Sequence, residues 1–298
     1  MNCNFNDKND EMIVGIYLVC AWVCEHMGAY VKSHAPHKAK KKTRTPAITY
    51  AEIMTILIYY PYSGYKCFKY YYLDFVCTTL SGHFMNLPSY ARFVELIERV
   101  QAPMMFMSKL LCCKSNQTGI YFIDASTIKV CHIKREGSHK VFKGLCSKGK
   151  SSMGWFFGFK IHLVINEIGE IINFSFTEGA VSDNNTYLLS KMLCHLKGLC
   201  FGDKGYITSL FEELYCSGIK MVTNIRKNMK NKLMVLKEKV LLKKRGVIES
   251  CFAVMKRQLD LEHTRHRKAE NGIVHMFSTI VAYHFYPNKP KIQMENLT

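Results

Sequence analysis

The sequence predicts a mixed α/β domain preceded by an all-α region, and two observations carry that expectation. The chain changes character near residue 117: before it, apolar residues recur at helical spacing and Gly is scarce; after it, short apolar runs alternate with helical segments. Three acids, Asp124, Asp203 and Glu249, then occupy settings that structural carboxylates rarely have. At 298 residues, 48% hydrophobic and 21% charged, the chain is globular and long enough for one large or two modest domains.

In the first third, Glu11 to Val31 reads as one helix, and His34 to Arg44 as a linker carrying Pro36, Lys38, Lys40, Lys41, Lys42 and Arg44. Thr49-Tyr50-Ala51-Glu52 has capping-box form, with a helix following through Ile53 to Leu57. Ser63-Gly64-Tyr65 breaks the pattern, and Ser89 is placed to cap a helix running through Phe93, Leu96, Ile97 and Val100. Gly119 to Ile123 reads as a short strand, with Asp124 ending its apolar run. Cys131 to Ser152 reads as a loop. Strands at Trp155 to Ile165 and Glu170 to Phe176 meet at Asn166-Glu167-Ile168-Gly169, which fits a hairpin turn. A helix through Tyr187 to Met192, a strand ending at Asp203, a helix from Ser209 to Cys216, a strand from Lys220 to Ile225 and a basic helical segment to about residue 260 complete the order.

Three strands, helix, strand, helix, strand, helix is the order of a ribonuclease H-like fold. That fold is a mixed five-stranded sheet with flanking helices, whose first strand is central and whose fourth lies beside it. Asp124 and Asp203 would then be neighbours. The expected divisions are an all-α region at 1–115, a ribonuclease H-like domain at 116–285 and a tail at 286–298.

The net charge of +18 points to a polyanionic partner. Thirteen cysteines, an odd number with no Cys-x-x-Cys, read as reduced thiols rather than disulfides or a zinc site. The apolar stretch Met12 to Cys24 reads as too short for a membrane span, and its acidic flank is wrong for a signal peptide. The chain has no Gly-x4-Gly-Lys-[Ser/Thr], so ATP use is not indicated.

An acid beside a buried apolar run costs several kcal/mol to keep ionised unless compensated. Converging carboxylates find that compensation in a divalent metal, and two such ions roughly 4 Å apart can activate water and neutralise a leaving oxygen at a phosphodiester. Asp124 would bridge both ions, with Asp203 and Glu249 completing one side each. Gly202 and Gly205 around Asp203 permit close approach of a ligand. At about 100° per residue, Leu242, Arg245, Glu249 and Lys256 share a helical stripe beside an apolar face of Ile248, Cys251, Phe252, Met255 and Leu259. Arg245 and Lys256 would then bind phosphate oxygens without competing for Mg²⁺.

Arg245-x3-Glu249-x6-Lys256, with Asp124 in Ile-Asp-Ala-Ser and Asp203 in Gly-Asp-Lys-Gly-Tyr, resembles the DDE transposases of bacterial insertion sequences. The similarity extends through Lys140 to Gly144, Gly158 to Leu163 and Ile225 to Lys230. The chain departs at Leu242, where the family signature often has Tyr, and at Ala180-Val181-Ser182-Asp183, where Asn-Val-His-Asp is frequent. The resemblance implies Mg²⁺ (two ions, with Mn²⁺ able to substitute) held by Asp124, Asp203 and Glu249. It also implies double-stranded DNA partners, namely terminal inverted repeats and a target, and an end-paired complex that is at least a homodimer. Such an enzyme works in the bacterial cytoplasm at the nucleoid, without a membrane. Two rivals are another ribonuclease H-like nuclease and an inactive transposase-derived DNA-binding protein.

Residues 225 to 268 hold 14 Lys or Arg against 4 Asp or Glu and read as a phosphate-binding track. The DNA-contacting candidates are Arg245, Lys256, Lys140, Lys143, Arg226, Lys227, Lys230, Arg265 and Arg267. His132 and His139 lie in the basic loop and read as DNA contacts, His162 as a structural histidine. Tyr70-Tyr71-Tyr72 and Trp155-Phe156-Phe157 are able to stack on flipped bases, but core packing is the expectation for both.

Overall fold

The computed structural model describes residues 7–34, 47–151, 153–206, 209–224, 234–262 and 265–293. The linker expected at His34 to Arg44 lies, from residue 35 onward, outside the described residues, as do Arg226, Lys227 and Lys230. Contacts divide the chain into two units, the first comprising Met1–Leu110, Gln258–Leu261 and His266–Phe285, the second Leu111–Arg257, Glu262–Arg265 and Tyr286–Thr298.

The first unit is helical. It contains α1 (Asp7–His34), α2 (Tyr50–Tyr59), the short α3 (Phe68–Tyr70), α4 (Tyr90–Leu96), most of α5 (Gln101–Lys114) and, far along the chain, the helix at Ala269–Phe285. Thr49 and Glu52 form the expected reciprocal cap, with Glu52 N–H donating to Thr49 Oγ1 at 3.2 Å and Thr49 N–H to Glu52 Oε2 at 2.6 Å. Ile13, Ile16, Cys20 and Val23 are buried along one face of α1. The stretch Asn9–Gly28 is, by length and composition alone, long and apolar enough to cross a membrane, because the helix extends beyond the apolar run read from the sequence. Tyr71 and Tyr72 are fully buried, as expected, while Tyr70 is exposed. Residues 269–285, which fall in the span 116–285 expected as one domain, form a helix that packs within this unit against α2 and the 3₁₀ turn Ile97–Val100. Asn271 Nδ2 donates to the Val94 carbonyl at 3.2 Å, and Lys268 pairs with Glu98 at 2.9 Å.

The second unit is built on a mixed sheet of β1 (Ile120–Cys131), β2 (Ser147–Ser151), β3 (Gly154–Asn166), β4 (Ile171–Glu178), β5 (Gly198–Gly202) and β6 (Ile219–Thr223). β1 is central, antiparallel to β3 and parallel to β5; β4 continues outward from β3, and β6 from β5. Setting β2 aside, this is the expected ribonuclease H-like order. The sixth strand, β2, arises inside the segment read as a loop. Its sequence, Ser-Lys-Gly-Lys-Ser, has no apolar alternation, and it pairs because β3 is long enough to carry both β4 and β2 along one edge.

β1 is also longer than read. Its apolar run stops at Ile123, but the ladder with β3 continues through half-buried Ala125, Ser126 and Thr127 to Cys131. Asp124 therefore lies within the strand, just past the last residue that pairs with β5. The hairpin after β3 closes at Gly169, whose φ of +79° is a conformation glycine adopts without strain. One face of the sheet buries Tyr121, Ile123 and Val164 against α6 (Thr186–Leu193), with Leu188, Leu189, Met192 and Leu193 contributing about 1.5–3 kcal/mol each. α7 (Phe211–Cys216) precedes β6. On the other face Phe122 stacks on Phe201 at 5.4 Å, and the helical segment bearing Glu249 packs against β1.

Candidate active site

β1 and β5 pair in register with Tyr121 opposite Cys200 and Phe122 opposite Phe201. Two residues beyond the last pair stand Asp124, still within β1, and Asp203, one residue past the end of β5, so the parallel ladder brings the two acids level where its pairing ends. Adjacent strands lie about 4.8 Å apart, so this placement brings the two backbones within reach of one shared ligand. Gly202 fits closely there: a Cβ on it would meet Ile123 and Tyr206 at 3.2 Å.

The basic helical segment is not one helix. It runs as α8 (Leu236–Lys243), a 3₁₀ turn at Lys244–Gly246, α9 (Val247–Ala253) and a π-helical stretch at Val254–Gln258; the helix at 269–285 is α10. The apolar face read from its sequence is buried as expected, at Ile248, Cys251, Phe252, Met255 and Leu259. Arg245 and Glu249 share a face, as the stripe requires. Arg245 Nη1 donates to Asp124 Oδ2 at 2.9 Å and Nη2 to Glu249 Oε1 at 3.2 Å. The guanidinium thus sits on two of the three acids, which differs from the expectation that it would leave them free. The turn at 244–246 ends α8 and aims Arg245 at β1. Lys256, in the π-helical stretch, donates to the Thr127 carbonyl at 2.5 Å and pairs with Glu262 at 2.9 Å.

Burial raises the Asp124 carboxyl above the ordinary aspartate value, and Glu249 adds to the rise; the Ala125 N–H, at 2.8 Å, and Arg245 oppose it. Asp203 and Glu249 are exposed. Among the described residues, no three His, Cys, Asp or Glu side chains converge tightly enough to hold an ion as they stand. The donor chemistry nevertheless fits a hard divalent cation. All three groups are carboxylates, one cation, the Arg245 guanidinium, already bridges Asp124 and Glu249, and exposed side chains such as Asp203 and Glu249 reorient in picoseconds to nanoseconds.

Lys140 and Lys143 are exposed in the loop before β2, on either side of Phe142, which is buried edge-on against Phe159 at 5.4 Å. His139 stacks on Phe142, and burial together with Arg135 lowers its pKa. Arg265 is exposed in the second unit and Arg267 exposed in the first. His162 is buried with Nε2 2.9 Å from Thr177 Oγ1, and burial pushes its pKa down to about 4, as befits a structural histidine.

Three features escaped sequence reasoning. Lys160 is buried in β3, donating to the Val181 carbonyl at 2.9 Å and to Asp183 at 3.0 Å, so it ties the loop after β4 to the sheet. A lone lysine inside Gly-Phe-Lys-Ile-His-Leu-Val was its signal. Tyr206 is buried with its hydroxyl unpartnered among the described residues, close enough to Asp124 and Asp183 for both to raise its pKa. Trp155 is 59% exposed, against the expectation of core packing that Phe156 and Phe157 do fulfil.

A search of curated proteins finds no match. Among solved structures, the piggyBac transposase synaptic complex with hairpin DNA, determined by cryo-EM, is similar at 14% identity and a TM-score of 0.38; the match covers 75% of this chain. This chain spans about half (50%) of that one's length. The family described as "Transposase DDE domain" matches residues 114–269, a span holding β1 to β6 and all three acids. By that match over more than half of its length, the chain belongs to the transposase DDE domain family.

Proposed function

We propose that this chain is a DNA transposase of an insertion sequence that hydrolyses phosphodiester bonds at element ends and transfers the freed 3′-OH into target DNA. The observation that carries the reading is the register that brings Asp203, just past the end of β5, level with Asp124 on the adjacent parallel strand β1, while Arg245 bridges Asp124 and Glu249. Asp124, Asp203 and Glu249 would hold Mg²⁺, or Mn²⁺ in its place. That cation would supply Lewis acidity at the phosphate and lower the pKa of the attacking water.

The chain's own groups perform the remaining tasks. Asp124, desolvated beside the core, presents a carboxylate whose charge burial makes costly, and that cost favours a cation at this point. Arg245, displaced from Asp124, would turn its planar fork to the non-bridging oxygens of the phosphate being cut. Lys256, anchored on the β1 carbonyl of Thr127, fixes a positive charge three residues along the same strand. In the first step, water oxygen bonds to phosphorus and the bond to O3′ breaks, with the proton passing to the departing oxygen. In the second, the oxygen of that 3′-OH bonds to a target phosphorus, the bond to a target O3′ breaks, and the proton passes to that departing oxygen.

Lys140, Lys143, Arg226, Lys227, Lys230, Arg265 and Arg267 would contact double-stranded DNA, both terminal inverted repeats and target. The helical region 1–115 would read the ends. Pairing two ends calls for a homodimer or larger assembly. The test is an end-labelled duplex copied from the DNA flanking the reading frame, incubated with protein and Mg²⁺ or with EDTA. Cleavage only with the metal, and joining of the 3′-end to a plasmid, supports the proposal; an inert wild-type protein with both flanks refutes it.

A further inference from the structure

β2 and β3 form a hairpin that the catalytic reading leaves without a task. On it Trp155 is 59% exposed, with Lys148 Nζ 5.1 Å and Lys150 Nζ 5.6 Å from its ring centre. Met153 beside it is 88% exposed. Between residues 129 and 150, seven Lys or Arg face a single Glu, and all seven cations are exposed. An indole stripped of packing, under two ammonium groups, suits a ligand with both a flat ring and a negative charge.

The hairpin is held firmly. A Cβ on Gly149 would fall 2.2 Å from the Gly179 carbonyl oxygen, so β2 lies hard against the chain leaving β4. Ala180 N–H donates to Ser147 Oγ at 3.0 Å, a second tie. The strand that carries the two lysines opposite the aromatic is therefore fixed in place.

Its position relates to the acids. Asp124 lies opposite Leu163, and Trp155 is eight residues from Leu163 along β3, which has no bulge of its own there; alternation therefore puts Trp155 on the Asp124 face. At ~3.3 Å per residue, the separation is about 26 Å. Lys140 and Lys143, mounted on the loop that Phe142 anchors over Phe159, belong to the same face. A strand crossing it would meet cations before reaching the indole, about eight nucleotides from the cut at ~3.4 Å each.

We propose that the β2–β3 hairpin is a DNA contact in which Trp155 stacks on an unpaired base while Lys148 and Lys150 hold the flanking phosphates. The proposal rests on the DNA-cleaving reading of the acids, but it names a contact that reading does not require.

The chain has two tryptophans, Trp22 and Trp155, so Trp22→Phe leaves Trp155 as the sole emitter. Single-stranded oligonucleotide should quench that emission and shield it from iodide, and a duplex with an unpaired tail should do the same. Binding itself is followed separately, by anisotropy of a labelled oligonucleotide. In the full chain, Trp155→Ala should weaken single-strand binding roughly five- to a hundred-fold, with Trp155→Phe restoring most of it. Lys148→Ala with Lys150→Ala should flatten the log–log salt slope by about 1.4. DNA bound with Trp155 unquenched and iodide-accessible overturns this inference and leaves the catalytic reading standing. No DNA bound overturns both. A blue shift with phosphatidylserine vesicles and no response to DNA would assign the hairpin to a lipid surface and overturn the proposal.

Discussion

Arg245→Ala isolates the link between the acids and their cation. The side chain is 18% exposed and its stronger contact reaches Asp124, 22% exposed, at 2.9 Å. A charge-assisted hydrogen bond in such a setting contributes about 1.5–3 kcal/mol. The arm to Glu249, 63% exposed, adds under about 0.5 kcal/mol after solvent screening. Removing the guanidinium also leaves a desolvated carboxylate without its counterion. The net loss is about 2 kcal/mol, which for a unit of this size lowers Tm by about 4–8 °C. Mg²⁺ should reverse the loss, because it no longer displaces an arginine. Binding at a hundred-fold excess over Kd stabilises by about 2.7 kcal/mol, less in the wild type by the cost of moving Arg245. Thermal unfolding by circular dichroism, without DNA, should therefore show a lower Tm for the variant in EDTA and convergence with wild type in saturating Mg²⁺. An unchanged Tm in EDTA, or an equal Mg²⁺ shift for both proteins, would refute the reasoning.

Other outcomes follow from the same geometry. Asp124→Asn, Asp203→Asn and Glu249→Gln should each abolish strand cleavage and leave DNA binding by gel shift nearly intact; near-normal cleavage by one variant removes that residue from the site. His162 stays neutral in the fold because its pKa is pushed down to about 4, against about 6.5 when unfolded, so its contribution is complete above pH 6.5 and lost as pH falls toward 4. His162→Gln should flatten the decline of Tm over that window, and an unaltered decline would place the acid sensitivity elsewhere. Gly149→Ala forces a Cβ to 2.2 Å from a backbone oxygen and should cost about 1–3 kcal/mol; an unshifted Tm would show that β2 gives way freely.

Strand order and the neighbouring placement of Asp124 and Asp203 were legible because apolar runs, the Asn166–Gly169 turn and Gly-flanked Asp203 mark element ends locally. What escaped depends on partners distant in sequence. β2 has no apolar period of its own and exists only because β3 offers an edge. Asp124 looked like a strand terminus because the apolar run stops there, whereas the antiparallel ladder continues through polar residues. Helical spacing put Arg245 and Glu249 together correctly, yet nothing in spacing shows that Arg245 turns to Asp124, 121 residues away. Nor did the sequence locate α10, whose buried positions are met by α2 rather than by the sheet. Trp155 sits in an aromatic triplet, and only the pairing of Lys150 with it shows which ring faces solvent.

The central claim is that Asp203 joins Asp124 as a metal ligand, and a change of metal preference tests it most directly. A thiolate is a poor ligand for Mg²⁺ and a better one for softer Mn²⁺. Asp203→Cys should therefore fail to cleave an end-labelled DNA substrate in Mg²⁺ and recover cleavage in Mn²⁺, while Asp203→Ala stays inactive in both. Equal activity of the cysteine variant in the two metals, or activity of the alanine variant, would contradict the account.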